Sequence, residues 1–299
     1  MKFSVENGPH IKNDDNSTKI MLRLILALIP IICFTLYKNS YLVYINSNVS
    51  LLKALHPLFM IIFAIITSIL SEYLFIRIIE KKKDKDLKEN FRIESSLLPG
   101  LFLSLVIPIN TPLWVVVIGA FIATVIGKML FGGLGHNIFN PALVGALFVT
   151  YMYGSLIASN GGYINAYEID TIGSATPLSN LNGLNYVGSY NNIVGAFGGL
   201  FAFFFGSIPG TLGEVNKFLI VLAFIYLSIS KVIKWRIPVS YVSTVFVMTY
   251  FISLYNGIGI WYPTFQILSG GLLFGAVFMA TDPVTSPVSK SSQVFYGIT

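Results

Sequence analysis

Charge is scarce in this chain. Only 11% of its 299 residues are Asp, Glu, Lys or Arg, against 55% hydrophobic, a balance that a soluble domain of this size has no use for. Cysteine is scarcer still, a single thiol at Cys33 inside the first apolar run. One thiol excludes an internal disulfide and an iron–sulfur cluster, which takes about four thiolates. The three histidines, His10, His56 and His136, are not paired by helical spacing, which argues against a haem held between two of them. Any electrons this protein carries must travel on an organic cofactor. Its 19 Lys and Arg outnumber 13 Asp and Glu, yet they cluster at the ends of apolar runs. Such clusters orient membrane helices or touch lipid headgroups, so no nucleic-acid partner is implied.

What is abundant is long apolar sequence. Nine segments stand out: 20–36, 54–79, 96–109, 112–130, 138–157, 192–206, 215–230, 237–256 and 259–280. A helix of about 20 residues crosses a hydrocarbon core, and backbone groups in lipid must bond within their own segment. The fold class is therefore all-α: a polytopic integral membrane helical bundle, one domain over 1–299. The polar start lacks the layout of a signal peptide, so the first run reads as a retained span. The tail 1–19 carries Lys2, Lys12 and Lys19, and the linker 80–92 carries five lysines and Arg92, so both read as cytoplasmic. Counting spans from there puts the loop 158–191 on the outer face, and no Lys or Arg lies between Lys128 and Lys217. Lys231, Lys234 and Arg236 fit poorly if 192–206 and 215–230 both cross. The first of these is short and broken by Gly195, Gly198 and Gly199, as a half-helix would be.

Two stretches mix glycine with a polar end and a proline: Phe131 to Pro141 and Gly270 to Pro283. They read either as matching broken helices of an inverted repeat, the usual pointer to a midplane site, or as glycines that let helices pack closely. Within them, Asn137, Asn140, Thr281 and Asp282 form a polar constellation. An ionisable group ending an apolar run is costly unless it serves something. These residues suit an ion path or a noncovalent flavin, while Asn140 and Asp282 also suit helix capping. Lys128 and Glu72, near helix ends, are expected to snorkel to the interface. The longest polar loop holds Asp170-Thr-Ile-Gly-Ser-Ala-Thr-Pro-Leu178, in which Pro177 keeps Thr176 out of helical geometry and presents its hydroxyl.

The chain resembles the D subunits of Rnf-type ion-translocating ferredoxin:NAD oxidoreductases and the homologous B subunits of sodium-pumping NADH:quinone reductases. The resemblance is carried by Pro9-His-Ile11, Thr18-Lys-Ile-Met21, Ala27-Leu-Ile-Pro30, Gly135-His-Asn-Ile-Phe-Asn-Pro-Ala142, Asp170–Leu178, Ile237-Pro-Val-Ser240 and Ala280-Thr-Asp-Pro-Val-Thr285, in the family's order over essentially the whole chain. It implies FMN esterified through its phosphate to Thr176 by a flavin transferase, with Asp170, Ser174 and Ala175 in the acceptor motif. This chain departs from that motif at Gly173-Ser174, where Ser-Gly is usual, and Asp170 would serve the transferase rather than electron transfer. A riboflavin or other second flavin, held noncovalently, is a further expectation. The resemblance also implies the A, B, C, E and G subunits as partners, Na⁺ or H⁺ as coupling ion, a bacterial or archaeal cell membrane, and no turnover by this chain alone. The family continues past Thr285 into a final span, so that helix is expected to be missing here. The rival readings are the quinone-reductase B subunit, a urea- or ammonium-type channel, and a membrane scaffold without a cofactor.

Overall fold

A computed structural model describes residues 16–46, 49–81, 91–162 and 190–299. Among these there are helices and turns and no strand, as the apolar runs require. Helix α1 spans Ser17–Leu36 and continues through a wide π-type segment, Tyr37–Leu42, into Val43–Asn46. Helix α2 spans His56–Leu74, with Pro57 in its first turn where no N–H is needed. The next apolar segment is too short to cross. Its helix α3, Leu98–Val106, stops where Pro108 forces Ile107 into an extended conformation. Helices α4 (Leu113–Val125) and α5 (Pro141–Ser159) complete a first half.

After the undescribed stretch come α6 (Leu200–Phe205), α7 (Lys217–Ile229), α8 (Arg236–Asn256), α9 (Trp261–Leu268), α10 (Leu272–Phe274, running on as Gly275–Met279) and α11 (Lys290–Ile298). Among the described residues, five helices are long and apolar enough to cross a membrane. The pair α9 and α10, bent by 63°, makes a sixth if counted as one span.

Helix α1 defines the two ends of the bundle, since Ser17 and Lys38 are about 30 Å apart by helical rise. At the Ser17 end, Arg92 Nη1 donates to Ser17 Oγ at 2.7 Å and Arg23 Nη1 donates to the Ser230 carbonyl at 3.1 Å. At the other end, Lys38 Nζ donates to the Ile208 carbonyl at 2.5 Å. Segment 190–216 therefore turns back at the Lys38 end, and α7 alone returns the chain to the Ser17 end. That puts Lys231, Lys234 and Arg236 with Arg92, Arg77 and Lys81. The misfit of this basic cluster disappears because segment 192–206 is a half-helix, interrupted by Gly198 and Gly199 at positive φ.

Of the two stretches read as matching broken helices, only the second is helical, and its spacing of glycine and prolines has a match elsewhere. Phe131–Pro141 is a run of turns between α4 and α5. The true counterpart of the α10 segment is α3. Leu97-Leu98-x-Gly100 followed by Pro108 and Pro112 matches Leu272-Leu273-x-Gly275 followed by Pro283 and Pro287, at a constant offset of 175 positions. One segment starts at the Ser17 end and the other at the Lys38 end. They pass side by side at the centre, where Phe102 lies 6.5 and 6.1 Å from the ring centroids of Phe274 and Phe278. These rings belong to the largest buried cluster, with Leu28, Ile31, Leu105, Leu212, Ile220 and Leu227. The hydrophobic effect does not drive helices together inside lipid, so contacts of this kind hold by packing alone.

Candidate functional site

The ends of α5 and α10 meet at a cavity of about 70 Å³ lined by Lys128, Asn137, Asn140, Thr281 and Asp282, with apolar walls from Met21, Leu98, Phe102 and Phe278. The four residues of the polar constellation are thus brought together, although 141 positions or more separate the two pairs. Asn137 Nδ2 donates to Asp282 Oδ2 at 3.3 Å and to the Phe139 carbonyl at 3.0 Å. Thr285 Oγ1 donates to the same carboxylate oxygen at 3.1 Å. Burial pushes the Asp282 carboxyl above the ordinary carboxylate range, while hydrogen bonds from Thr285 and Asn137 oppose that rise.

Asn140 has two tasks. Its Oδ1 accepts from the N–H groups of Ala142 at 3.1 Å and Leu143 at 3.4 Å, capping α5. Its Nδ2 donates to the Met279 carbonyl at 3.3 Å, tying that cap to the wide final turn of α10. Thr281 donates to the Val277 carbonyl within α10 and is buried. Asp282 caps no helix. Backbone N–H groups of Val284 and Thr285 face its carboxylate in the turn that follows.

Lys128 and Glu72 do not snorkel. Each is 3% exposed, and Lys128 Nζ bonds Glu72 Oε2 at 2.6 Å and the Ser95 carbonyl at 3.0 Å. Both side chains are enclosed by the bundle, where the nearest partner for each charge is the other. Beside this pair Ser68 links the Ser96 carbonyl, at 2.6 Å, to Thr124 Oγ1, at 2.8 Å. Glu72 also borders a polar vestibule of about 360 Å³ with Ser17, Arg92 and His136.

The acceptor loop, with Asp170, Ser174, Ala175 and Thr176, lies outside the described residues. Its flanks do not. The Asn110 N–H bonds the Gly162 carbonyl at 3.2 Å beyond the end of α5, and the Tyr190 ring lies 5.7 Å from that of Trp261. Both flanks lie at the Lys38 end, opposite the basic clusters.

The comparison with family models finds a match over residues 4–299. The chain belongs to the NQR2, RnfD, RnfE family. It is similar to the D subunit of a proton-translocating ferredoxin:NAD(+) oxidoreductase complex from Clostridium ljungdahlii, 34% identical over 99% of this chain and 83% of that one. It is also similar to the D subunit of a Na(+)-translocating ferredoxin:NAD(+) oxidoreductase complex from Acetobacterium woodii, 30% identical over 100% of this chain and 82% of that one. The D subunit of an ion-translocating oxidoreductase complex from Rhodobacter capsulatus is 29% identical over 97% of this chain and 81% of that one.

Sequence reasoning overlooked Glu214. It stands alone between two apolar segments, and no motif marks it. The one available signal is the run of turn formers before it, Pro209-Gly-Thr-Leu-Gly213, which marks a loop that must be held by something. Held it is: the Gly213 N–H bonds the Leu105 carbonyl at 2.8 Å, and Glu214 Oε1 accepts from the Thr211 N–H at 3.0 Å.

Proposed function

We propose that this chain is the membrane subunit of an Rnf-type complex that carries covalent FMN on Thr176 and couples electron transfer between ferredoxin and NAD to translocation of Na⁺ or H⁺. The observation that carries the reading is the family match over residues 4–299, which takes in the Asp170–Thr176 acceptor motif. Bound FMN would supply the one- and two-electron chemistry that a chain with one cysteine lacks. The protein's own contribution is to hold the carrier and to hold charge. The flanks of the acceptor loop open at the Lys38 end, while Arg92, Arg77, Lys231 and Arg236 gather at the Ser17 end. The positive-inside rule supports the proposed placing of the loop on the outer face.

The Asp282 cavity suits the ion-handling side of this function. Asn137 and Thr281 offer neutral oxygens beside one carboxylate, a donor set that suits a hard monovalent cation or a relayed proton. The A, B, C, E and G subunits of such a complex are the partners proposed, with a flavin transferase needed once, for maturation. The relatives' names differ in the ion, so both remain in the proposal.

The test is coexpression with a flavin transferase and ultraviolet illumination of a denaturing gel, for wild type and Thr176→Ala. Fluorescence that survives denaturation in wild type and disappears in the variant is the expected result. A dark wild-type band from well-inserted protein would sink the flavin assignment.

A further inference from the structure

Helices α2 and α7 both arrive at the Ser17 end, and both are followed by a lysine in an unusual backbone conformation. Lys81 stands just past Glu80, which closes the π-type turn Phe75–Ile79 at the end of α2, and has φ 52°. Lys231 stands just past Ser230, which closes α7, and has φ 55°. Among the described residues these are the only positions other than glycine with positive φ. After α7 the Lys231 N–H bonds the Ser228 carbonyl and the Val232 N–H bonds the Leu227 carbonyl. Glycine fills such a left-handed position without steric cost, and lysine does not. A lysine kept there is kept for its charge.

The helix dipole accounts for one cation beside the carbonyl end of α7. It works against the next two, Lys234 and Arg236, which stand at the N-terminal end of α8. No Asp or Glu occurs from Val215 to Thr281, so neither α7 nor α8 supplies a carboxylate for them. Helix α1 supplies none either, and its Arg23 reaches the Ser230 carbonyl at 3.1 Å, adding a further cation beside the turn.

The turn is anchored from below. Val232 and Ile233 are buried in the largest apolar cluster and wall the Asp282 cavity, while Lys231 and Lys234 on either side of them are exposed. Trp235 follows, half exposed, with the Arg236 guanidinium carbon 5.0 Å from its ring centre. A tryptophan so placed marks the level of the lipid headgroups, where one part of the ring is wet and the other is in hydrocarbon. From the turn toward the Lys38 end, one face of α7 is apolar and exposed at Ile229, Ile225 and Leu222.

We propose that the α7–α8 turn is a binding site for an anionic phospholipid. Its phosphate meets Lys231, Lys234 and Arg236, and an acyl chain lies along Ile229, Ile225 and Leu222. A free phosphate would use the cations but not the apolar face beside them. The site requires only that the chain lie in a bilayer, and it does not depend on the flavin assignment.

The test uses the assembled complex in phosphatidylcholine vesicles that carry a minor fraction of phosphatidylglycerol, with bromine on the acyl chains of one lipid or the other. Bromine quenches nearby tryptophan, and the signal of Trp235 is the difference between wild type and Trp235→Phe. Brominated phosphatidylglycerol is expected to quench Trp235 as though enriched about tenfold over its share of the lipid. Lys234→Gln should lower that preference about fivefold. Lys231→Gly removes a charge while relieving the backbone. It should lose as much preference as Lys234→Gln and yet unfold in neutral detergent no earlier than wild type, which separates lost binding from misfolding. Equal quenching by the two brominated lipids overturns the proposal, as does a preference that survives both lysine substitutions together. Quenching released by dissolved glycerol phosphate would overturn it in favour of a free-phosphate site. A preference seen in the isolated chain but lost in the complex would overturn it in favour of an acidic partner subunit covering the turn.

Discussion

Helices α3 and α10 are two copies of one element with opposite surroundings. Gly100 of α3 is pressed against α2 so closely that an added Cβ would overlap the Ala64 carbonyl. Its counterpart, Gly275 of α10, faces open space. The residue before the first proline is Ile107 in one copy, fully buried, and Asp282 in the other, facing a cavity. The lysine beside the first copy, Lys128, bonds the Glu72 carboxylate, and that beside the second, Lys217, bonds the backbone carbonyl of Glu214, whose carboxylate accepts from the Thr211 N–H. One copy is closely packed and the other borders open space.

The contrast can be broken most strongly at the paired lysine. Lys128→Met should leave Glu72 buried without its partner, at about 3–5 kcal/mol. Adding Glu72→Gln should recover most of that loss, because no buried charge then remains. Thermal unfolding of detergent-solubilised protein, followed by size-exclusion fluorescence, checks both. If the double variant is no better than the single, the pair does not account for the cost.

The two glycines give the next largest effect, and it should have opposite signs. Gly100→Ala must push α3 off α2 and is expected to destabilise by about 1–3 kcal/mol. Gly275→Ala is expected to be neutral or to stabilise by about 0.5–1 kcal/mol, since alanine favours a helix and meets no neighbour there. Equal losses at both positions would contradict the asymmetry of the two halves.

Asp282 should give the smallest effect on stability and a characteristic dependence on pH. Its folded value is raised, chiefly by burial, above its unfolded value. Between the two, the folded chain holds a proton that the unfolded chain has released. The contribution of this group is thus greatest below the unfolded value and declines as pH rises through the folded one. Asp282→Asn should flatten the fall in thermal midpoint on going from acid to neutral pH. A variant whose midpoint falls as steeply as wild type would show that burial does not govern this carboxyl.

How much was legible beforehand follows from the range of each interaction. Apolar segments were readable because a helix in lipid depends on its own residues, and α1, α2, α4, α5 and α8 fall where hydropathy puts them. The half-helix at 192–206 was readable from its glycines. The partner of the α10 segment was not, because Phe131–Pro141 has more glycine than Leu97–Pro112, and composition outweighed the quieter match of glycine and two prolines. Asn137, Asn140, Thr281 and Asp282 were legible as a group because polar residues stand out in apolar sequence. Glu214 was not, since its loop looks like any solvated turn until Leu105 and Lys217 are seen to hold it.

Lys128 and Glu72 show the limit most clearly. Each lies near a helix end, and isolated side chains there would reach for water. That they meet instead depends on the packing of α2, α4 and the start of α3, 56 positions apart in sequence. By itself, the sequence determined the helical class, the main spans and the family, since these depend on local hydropathy and contiguous motifs. The tertiary structure alone decided which end each basic cluster shares, which carboxylate is paired and which is open. Those outcomes depend on distances between helices, and a desolvated charge is governed by its nearest partner in space rather than by its neighbours along the chain.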